Sequence, residues 1–286
     1  MSEPTRNLPA KRGDLVDRSP IEGDDLDALQ RAVKALEHQN FATRIANTVG
    51  RQLGTLGHLI PGPISGLVDR AAQKAIATAL DVALGTLAKT PRRDSRLFHK
   101  AAAALSGAAG GVFGMTSLPV ELPISTIIIL RSIADIARSE GEDLSDPQVA
   151  LSCLTVFALG AHDRDETFLE SGYFAVRGLL AQAISEANRH VAQGLTTEAA
   201  APALIRLISQ VGARFGVVVS EKLAAQAVPV LGAAGGAAVN YAFADHFQTI
   251  AFGHFTVRRL ERIYGSEAVK TAYDRLLAVE APAAYA

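Results

Sequence analysis

The sequence predicts an all-α protein, a multi-helix bundle with two Gly/Ala-rich helices packed near its centre. Three observations predict it. Hydrophobic residues make up 49% of the 286, aromatics only 6%, and there is no Trp. An alanine-rich, aromatic-poor chain with few β-branched runs favours helix over sheet. Apolar residues recur at intervals of three and four through most of the chain, between helix start and stop signals. The string Gly-Ala-Ala-Gly-Gly occurs twice, at 107–111 and 232–236, inside long uncharged stretches. Glycine costs a helix about 1 kcal/mol relative to alanine, so two clusters of it point to helices that touch backbone to backbone. Gly141 follows the first string and Gly265 the second at nearly equal spacing, each placed as a helix stop, which suggests a weak internal repeat.

Residues 1–23 are polar, hold Pro4, Pro9 and Pro20, and have no apolar run after their basic residues. They read as a disordered lead and not as a secretory signal. A single helical domain is expected over 24–280, with 281–286 as a tail. Asp24 or Asp25 caps the first helix, whose Leu26, Leu29, Val33 and Leu36 share one face. That pattern continues through Phe41, Ile45 and Val49 and stops at Pro61-Gly62-Pro63. A second amphipathic helix is expected over 65–89. The uncharged run 101–120 is expected to break at Pro119 and Pro123, with helix resuming over 124–139 and stopping at Gly141. Asp146 as cap, with Pro147 at the first helical position, opens the next helix to about Leu159. Further helices are expected over 173–193, over 198–226, from Pro229 to Tyr264, and from a Ser266 cap to about Val279.

Composition excludes some functions. Lys+Arg is 28 and Asp+Glu 29, a net charge of -1, which lacks the basic excess that nucleic-acid binding demands. Cys153 is the one cysteine. It rules out an intramolecular disulfide, and its apolar neighbours make it an inert buried thiol. His-Glu-x-x-His, Gly-x-Ser-x-Gly and the phosphate-binding Gly-x-x-x-x-Gly-Lys are all missing. No metal and no cofactor is expected.

Residues 223–244 are free of charge and long enough to cross a hydrocarbon core of about 30 Å. Gly107 with Gly111, and Gly232 with Gly236, form small-x-x-x-small pairs. Both stretches are nevertheless poor in Leu, Ile and Phe, and Gln226, Pro229 and Asn240 interrupt the second. Neither has lopsided Lys/Arg flanks. Contact with a membrane surface, or a buried soluble helix pair, is favoured over spanning.

Several polar residues stand where chemistry is possible. Glu121 lies between two prolines in apolar sequence and needs a partner if buried. Arg131 and Asp135, four apart, can pair on one helix face. Asn240 follows Gly236 by one turn and can bond a neighbouring helix or a ligand head group. Asp245 and His246 are adjacent, so they point about 100° apart and cannot readily share a metal; His254 is also badly placed for one. The run His162-Asp163-Arg164-Asp165-Glu166 reads as a solvated turn. Burial is expected for Gly107, Gly111, Gly232 and Gly236, with Glu121 and Asn240 close together or facing one cavity.

Three segments carry a likeness to a known family. One is the small-residue run 107–114 leading to Leu118-Pro119 and Leu122-Pro123. Another is 131–137 followed by Gly141 and Asp146-Pro147. The last is Val228-Pro229 through Gly236 with Asn240, then Phe255 to Gly265. Over residues 44–276 the chain resembles the EcsC family of bacterial proteins. Glu140 stands where an aromatic often precedes the glycine in that family, while Tyr264-Gly265 keeps one. The resemblance implies a helical protein working at or near the cytoplasmic membrane, since the founding member is encoded beside an ABC transporter. It supplies no catalytic residues.

The expected function is therefore that of a non-catalytic accessory, peripheral to the inner face of the cytoplasmic membrane. It would bind membrane lipid or a membrane protein such as an ABC transporter. One alternative is a hydrolase using Glu121 or Asp245 with His246 as acid–base groups. Another is a soluble helical scaffold.

Overall fold

The structure, a computed structural model, describes residues 20–37, 41, 44, 62–86, 118–161, 172–192, 197–226 and 232–280. Eight helices account for 92% of these residues, and no strand occurs among them. They are α1 (Gly23–Glu37), α2 (Gly62–Thr86), α3 (Leu118–Ser139), α4 (Pro147–Leu159), α5 (Tyr173–Ala192), α6 (Thr197–Gln226), α7 (Gly232–Tyr264) and α8 (Ser266–Glu280).

Local signals set many of these boundaries. Asp146 caps α4 by accepting the Gln148 N–H at 2.8 Å, with Pro147 in the first turn. Gly141 ends α3 in the left-handed region at φ +83. The Glu142 N–H then reaches back to the Ala137 carbonyl at 3.0 Å, the long closure that such a glycine permits. Gly265, at φ +86, separates α7 from α8 in the same conformation.

The prolines were the poorer guides. α2 begins at Gly62 and takes Pro63 into its first turn, where the missing N–H has no helical partner to lose. α3 begins at Leu118, ahead of both prolines that were expected to break it. Pro119 falls in the first turn, and Pro123 forfeits only the bond to the Pro119 carbonyl. The uncharged run 223–244 is divided between two helices, since α6 ends at Gln226 and α7 starts at Gly232.

Helix α7 is the spine. Its 33 residues extend about 50 Å and pack against α1, α3, α4, α6 and α8. A phenylalanine cluster fills the centre. Phe157, Phe215, Phe243 and Phe247 meet there with Phe41, at centroid separations of 5.1 to 5.9 Å, the spacing of offset and edge-to-face pairs. Cys153 is buried beside this core, and burial pushes its thiol up to about 12, which keeps it protonated.

The second glycine string opens α7, while Gly107 and Gly111 lie outside the described residues, as does the burial of Gly232 and Gly236. Other glycines mark close approaches. A methyl group at Gly253 would sit 2.8 Å from Leu36 Cγ and 3.2 Å from the Ala32 carbonyl, so α1 lies directly on α7. At Gly212 the corresponding obstacle is Gln73, whose Cα would be 3.2 Å away, which brings α6 onto α2.

One end of the bundle is ionic. Glu142, just after α3, receives Arg258 Nε at 2.7 Å and also pairs with Arg262 of α7. Arg259 bridges Glu140 and Asp25, both at 2.9 Å, and Tyr264 donates to the same Asp25. Glu140 thus joins this network. Burial pushes the Glu142 carboxyl upward, but Arg258 and Arg262 outweigh it and hold the group below its ordinary 4.5. A carboxyl lowered in the folded state stabilises fully above its unfolded pKa, and the benefit is lost as pH falls through the folded value. Glu142→Gln should cost about 2 kcal/mol at pH 7. The gap from the parent protein should narrow as pH drops through the carboxylate range. Urea unfolding midpoints measured from pH 7 downward check this; a gap independent of pH would contradict it.

Candidate functional site

At the opposite end of α3, a charge is buried. Glu121 stands in the first turn, one of the few buried carboxylates. Lys222 of α6 is 1% exposed and places its Nζ 2.9 Å from Glu121 Oε1. Asn240 of α7 donates from Nδ2 to the same oxygen at 3.1 Å. The expected closeness of Glu121 and Asn240 is thus a direct hydrogen bond, with a lysine as third member. The Lys222 ammonium also lies 4.9 Å from the centroid of the Phe243 ring, within cation–π range. Burial lowers the pKa of Lys222, with Glu121 opposing that shift. Asn240 Oδ1 is buried with no partner among the described residues. The carboxylate dictates this orientation, because only the amide N–H₂ can face it.

Among the described residues, the surface around this cluster is mostly apolar. Gly212 meets Gln73 and Gly216 meets Asp69, so α2 and α6 run antiparallel and the start of α2 lies beside the end of α6. Residues 62–68, 223–226 and 232–244 carry no charge, and Glu121 is the one charge in 118–130. Glu221, one residue before Lys222, is half-buried. Five of the exposed large hydrophobic residues gather at this end: Val120 at 67%, Ile124 at 49%, and Leu67, Val217 and Tyr241 at 41% each. On α3, Val120, Ile124, Ile127 and Ile128 form an outward stripe that ends at exposed Arg131. That helix therefore has two apolar faces, one against the core and one outward, with Glu121 turned inward.

The remaining candidates separate. Asp135 pairs with Arg138 at 3.3 Å, and the expected pair with Arg131 does not form. On a helix an acid pairs better with a base that follows it than with one that precedes it, and Arg131 is exposed. Asp245 pairs with Arg44. His246 Nε2 lies 2.8 Å from the Gly160 carbonyl, so the adjacent Asp245 and His246 diverge and do not join Glu121 in an acid–base set. The 162–166 run lies outside the described residues. No group of three or more His, Cys, Asp or Glu suited to a metal occurs among the described residues.

Sequence reasoning missed Lys222, although a signal existed. Val211, Phe215, Val218 and Lys222 recur at helical spacing, and all four are buried. It also missed a second polar centre in which His254 lies between Ser152 and Tyr173, each at 2.9 Å.

A sequence model described as the EcsC protein family matches residues 24–260. No curated protein matches the chain, and no solved structure does.

Removing one member of a buried ion pair leaves the other uncompensated, at a cost of about 3 to 5 kcal/mol. Lys222→Met and Glu121→Leu should each destabilise by roughly that amount. The double variant should recover most of the loss, because two apolar side chains replace two charges. A double-mutant cycle from urea denaturation measures it, and strictly additive losses would sink the coupling.

Proposed function

We propose that this chain, which belongs to the EcsC protein family, works as a non-catalytic accessory that binds the lipid surface of a membrane. The observation that carries the reading is the set of exposed apolar side chains around Val120 and Ile124 among the described residues, opposite an end dense in ion pairs. Seating an apolar helix face at a lipid interface gains free energy in proportion to the area removed from water. An exposed charge in that face would oppose it. Here the one charge of the first turns of α3 is turned inward and compensated by Lys222.

Arg131 fits the same geometry. It stands eleven residues along α3 from Val120, about 16 Å, where a long basic side chain can lie beside apolar surface and reach lipid phosphates. Helix Pro202–Gln226 is long and apolar enough to cross a membrane by length and composition, at mean hydropathy 1.4. Its packing against α2, α4 and α5, and the engagement of Lys222 with Glu121 inside the bundle, support contact from one side over crossing. On this reading the protein sits peripherally on the cytoplasmic face of the membrane, as the family resemblance implies.

The lack of Trp in the sequence makes a single-tryptophan reporter clean. Ile124→Trp should shift its emission to the blue on mixing with vesicles of mixed zwitterionic and anionic phospholipid. Val279→Trp, on the exposed face of α8, should not. Val120→Asp combined with Ile124→Asp should lower the fraction of protein that floats with the vesicles by about tenfold. Unchanged flotation of that variant, or a parent protein that never floats, would defeat the proposal.

A further inference from the structure

A cavity of about 300 Å³ opens between α4, α5 and α7, at the small end of the range for ligand sites. It lies well away from the apolar end, since His254 in its wall is fourteen residues along α7 from Asn240, about 21 Å. Its wall has two characters. Leu159, Leu180 and Ile184 form an apolar side, while Arg177, Arg258, Ser152 and Asn188 supply hydrogen-bond donors. Among the described residues, no carboxylate lines it. The two acids that balance the guanidiniums stand behind them.

Those acids hold the arginines in place without exhausting them. Glu261 accepts Arg177 Nη1 at 2.9 Å and Nη2 at 2.7 Å. Glu142 accepts Arg258 Nε at 2.7 Å and Nη2 at 3.3 Å. A guanidinium has five N–H donors, so each keeps some for a ligand. Bidentate pairing fixes the plane of each group, which reduces the entropy lost when an anion binds.

The hydrogen-bond order around His254 decides what Ser152 does. The Tyr173 hydroxyl accepts an N–H from Arg177 Nη1 at 3.2 Å. Its own hydrogen has one acceptor within reach among the described residues, His254 Nδ1 at 2.9 Å. Burial pushes the Tyr173 hydroxyl up to about 12, so that hydrogen stays in place. Nδ1 is therefore unprotonated, and the ring carries its hydrogen on Nε2, which donates to Ser152 Oγ at 2.9 Å. Burial and the charges of Arg258 and Arg177 hold His254 well below its ordinary pKa, so the ring stays neutral. A histidine that donates to serine cannot accept its proton, so this is not a nucleophile–base pair. The Ser152 hydroxyl hydrogen is left to point at whatever fills the cavity.

We infer that this cavity binds a small organic anion with an apolar tail, its charged head on Arg177 and Arg258 and its head oxygen receiving the Ser152 hydroxyl. The head is a carboxylate or a phosphate, chemistries the donor set serves equally.

Calorimetric titration of the full chain with octanoate and, separately, with octyl phosphate tests the assignment, with 1-octanol as the uncharged control. One saturable site is expected for at least one of the two anions, bound tighter than octanol by about tenfold or more. The tighter anion identifies the head group. Ala181→Phe, at an exposed position of the cavity wall, should weaken that binding at least about tenfold by occupying the space. Arg258→Gln should do so by removing charge, and a fluorophosphonate probe should leave Ser152 unlabelled. Absence of saturable binding by both anions, octanol binding as tightly as they do, undiminished binding by Ala181→Phe, or labelling of Ser152 would each overturn the inference. Vesicle binding reports on a different end of the molecule, so either result can fail alone.

Discussion

The fold turns on one buried ammonium. Lys222 is 1% exposed, and an unpaired cation in such a place would cost several kcal/mol. Its compensation comes from a different helix, and the carboxylate that supplies it is shared with an amide on a third. Helix α3 is thereby tied at one point to two helices about a hundred residues further along the chain. The tie is directional where the surrounding alanines and valines are not. Apolar packing would tolerate a slide or rotation of α6 past α7, whereas such a slide would strand the lysine. A buried polar contact of this kind adds less to stability than to the choice of one arrangement.

The same compensation shapes the surface. With Glu121 turned inward, the start of α3 can be apolar on both faces. Ionic groups concentrate instead where α7 ends, around Glu142, Glu140 and Asp25. The described residues are thus polarised by side-chain chemistry, although the chain's net charge is only -1. Net charge averages over ends that differ, and so conceals this.

Features governed by neighbours in sequence were legible. Gly141, Gly265 and the Asp146-Pro147 start obey rules that need only a few residues of context. The prolines of α3 obey the same rules, but their position relative to the true start decided their effect, and the start itself depends on packing. Asn240 was singled out for its place one turn after Gly236, and Glu121 for its apolar surroundings; their hydrogen bond joins positions 119 residues apart. Lys222 was hidden because a lysine on a helix is ordinarily exposed, and only the stripe it shares with Phe215 marks it as buried. Asp135 shows the limit of spacing arguments: two arginines lay within helical reach, and the side-chain geometry chose Arg138. The Ser152, His254 and Tyr173 contacts close over 102 and 81 residues, and no local pattern encodes them.

The close seat of α1 on α7, where Gly253 leaves no room for a methyl group, bears on how the chain is made. Asp25 meets Arg259 across 234 residues, and Glu37 meets Tyr273 across 236. Helix α1 therefore leaves the ribosome long before the helices that cover it. Its Leu29, Val33 and Leu36 stay without their native cover until the spine and final helix have been synthesised. Loops of that length close slowly, and uncovered apolar faces invite wrong partners meanwhile. The N-terminal helix closes a ring, and the completed C-terminal part of the chain is the template on which it closes.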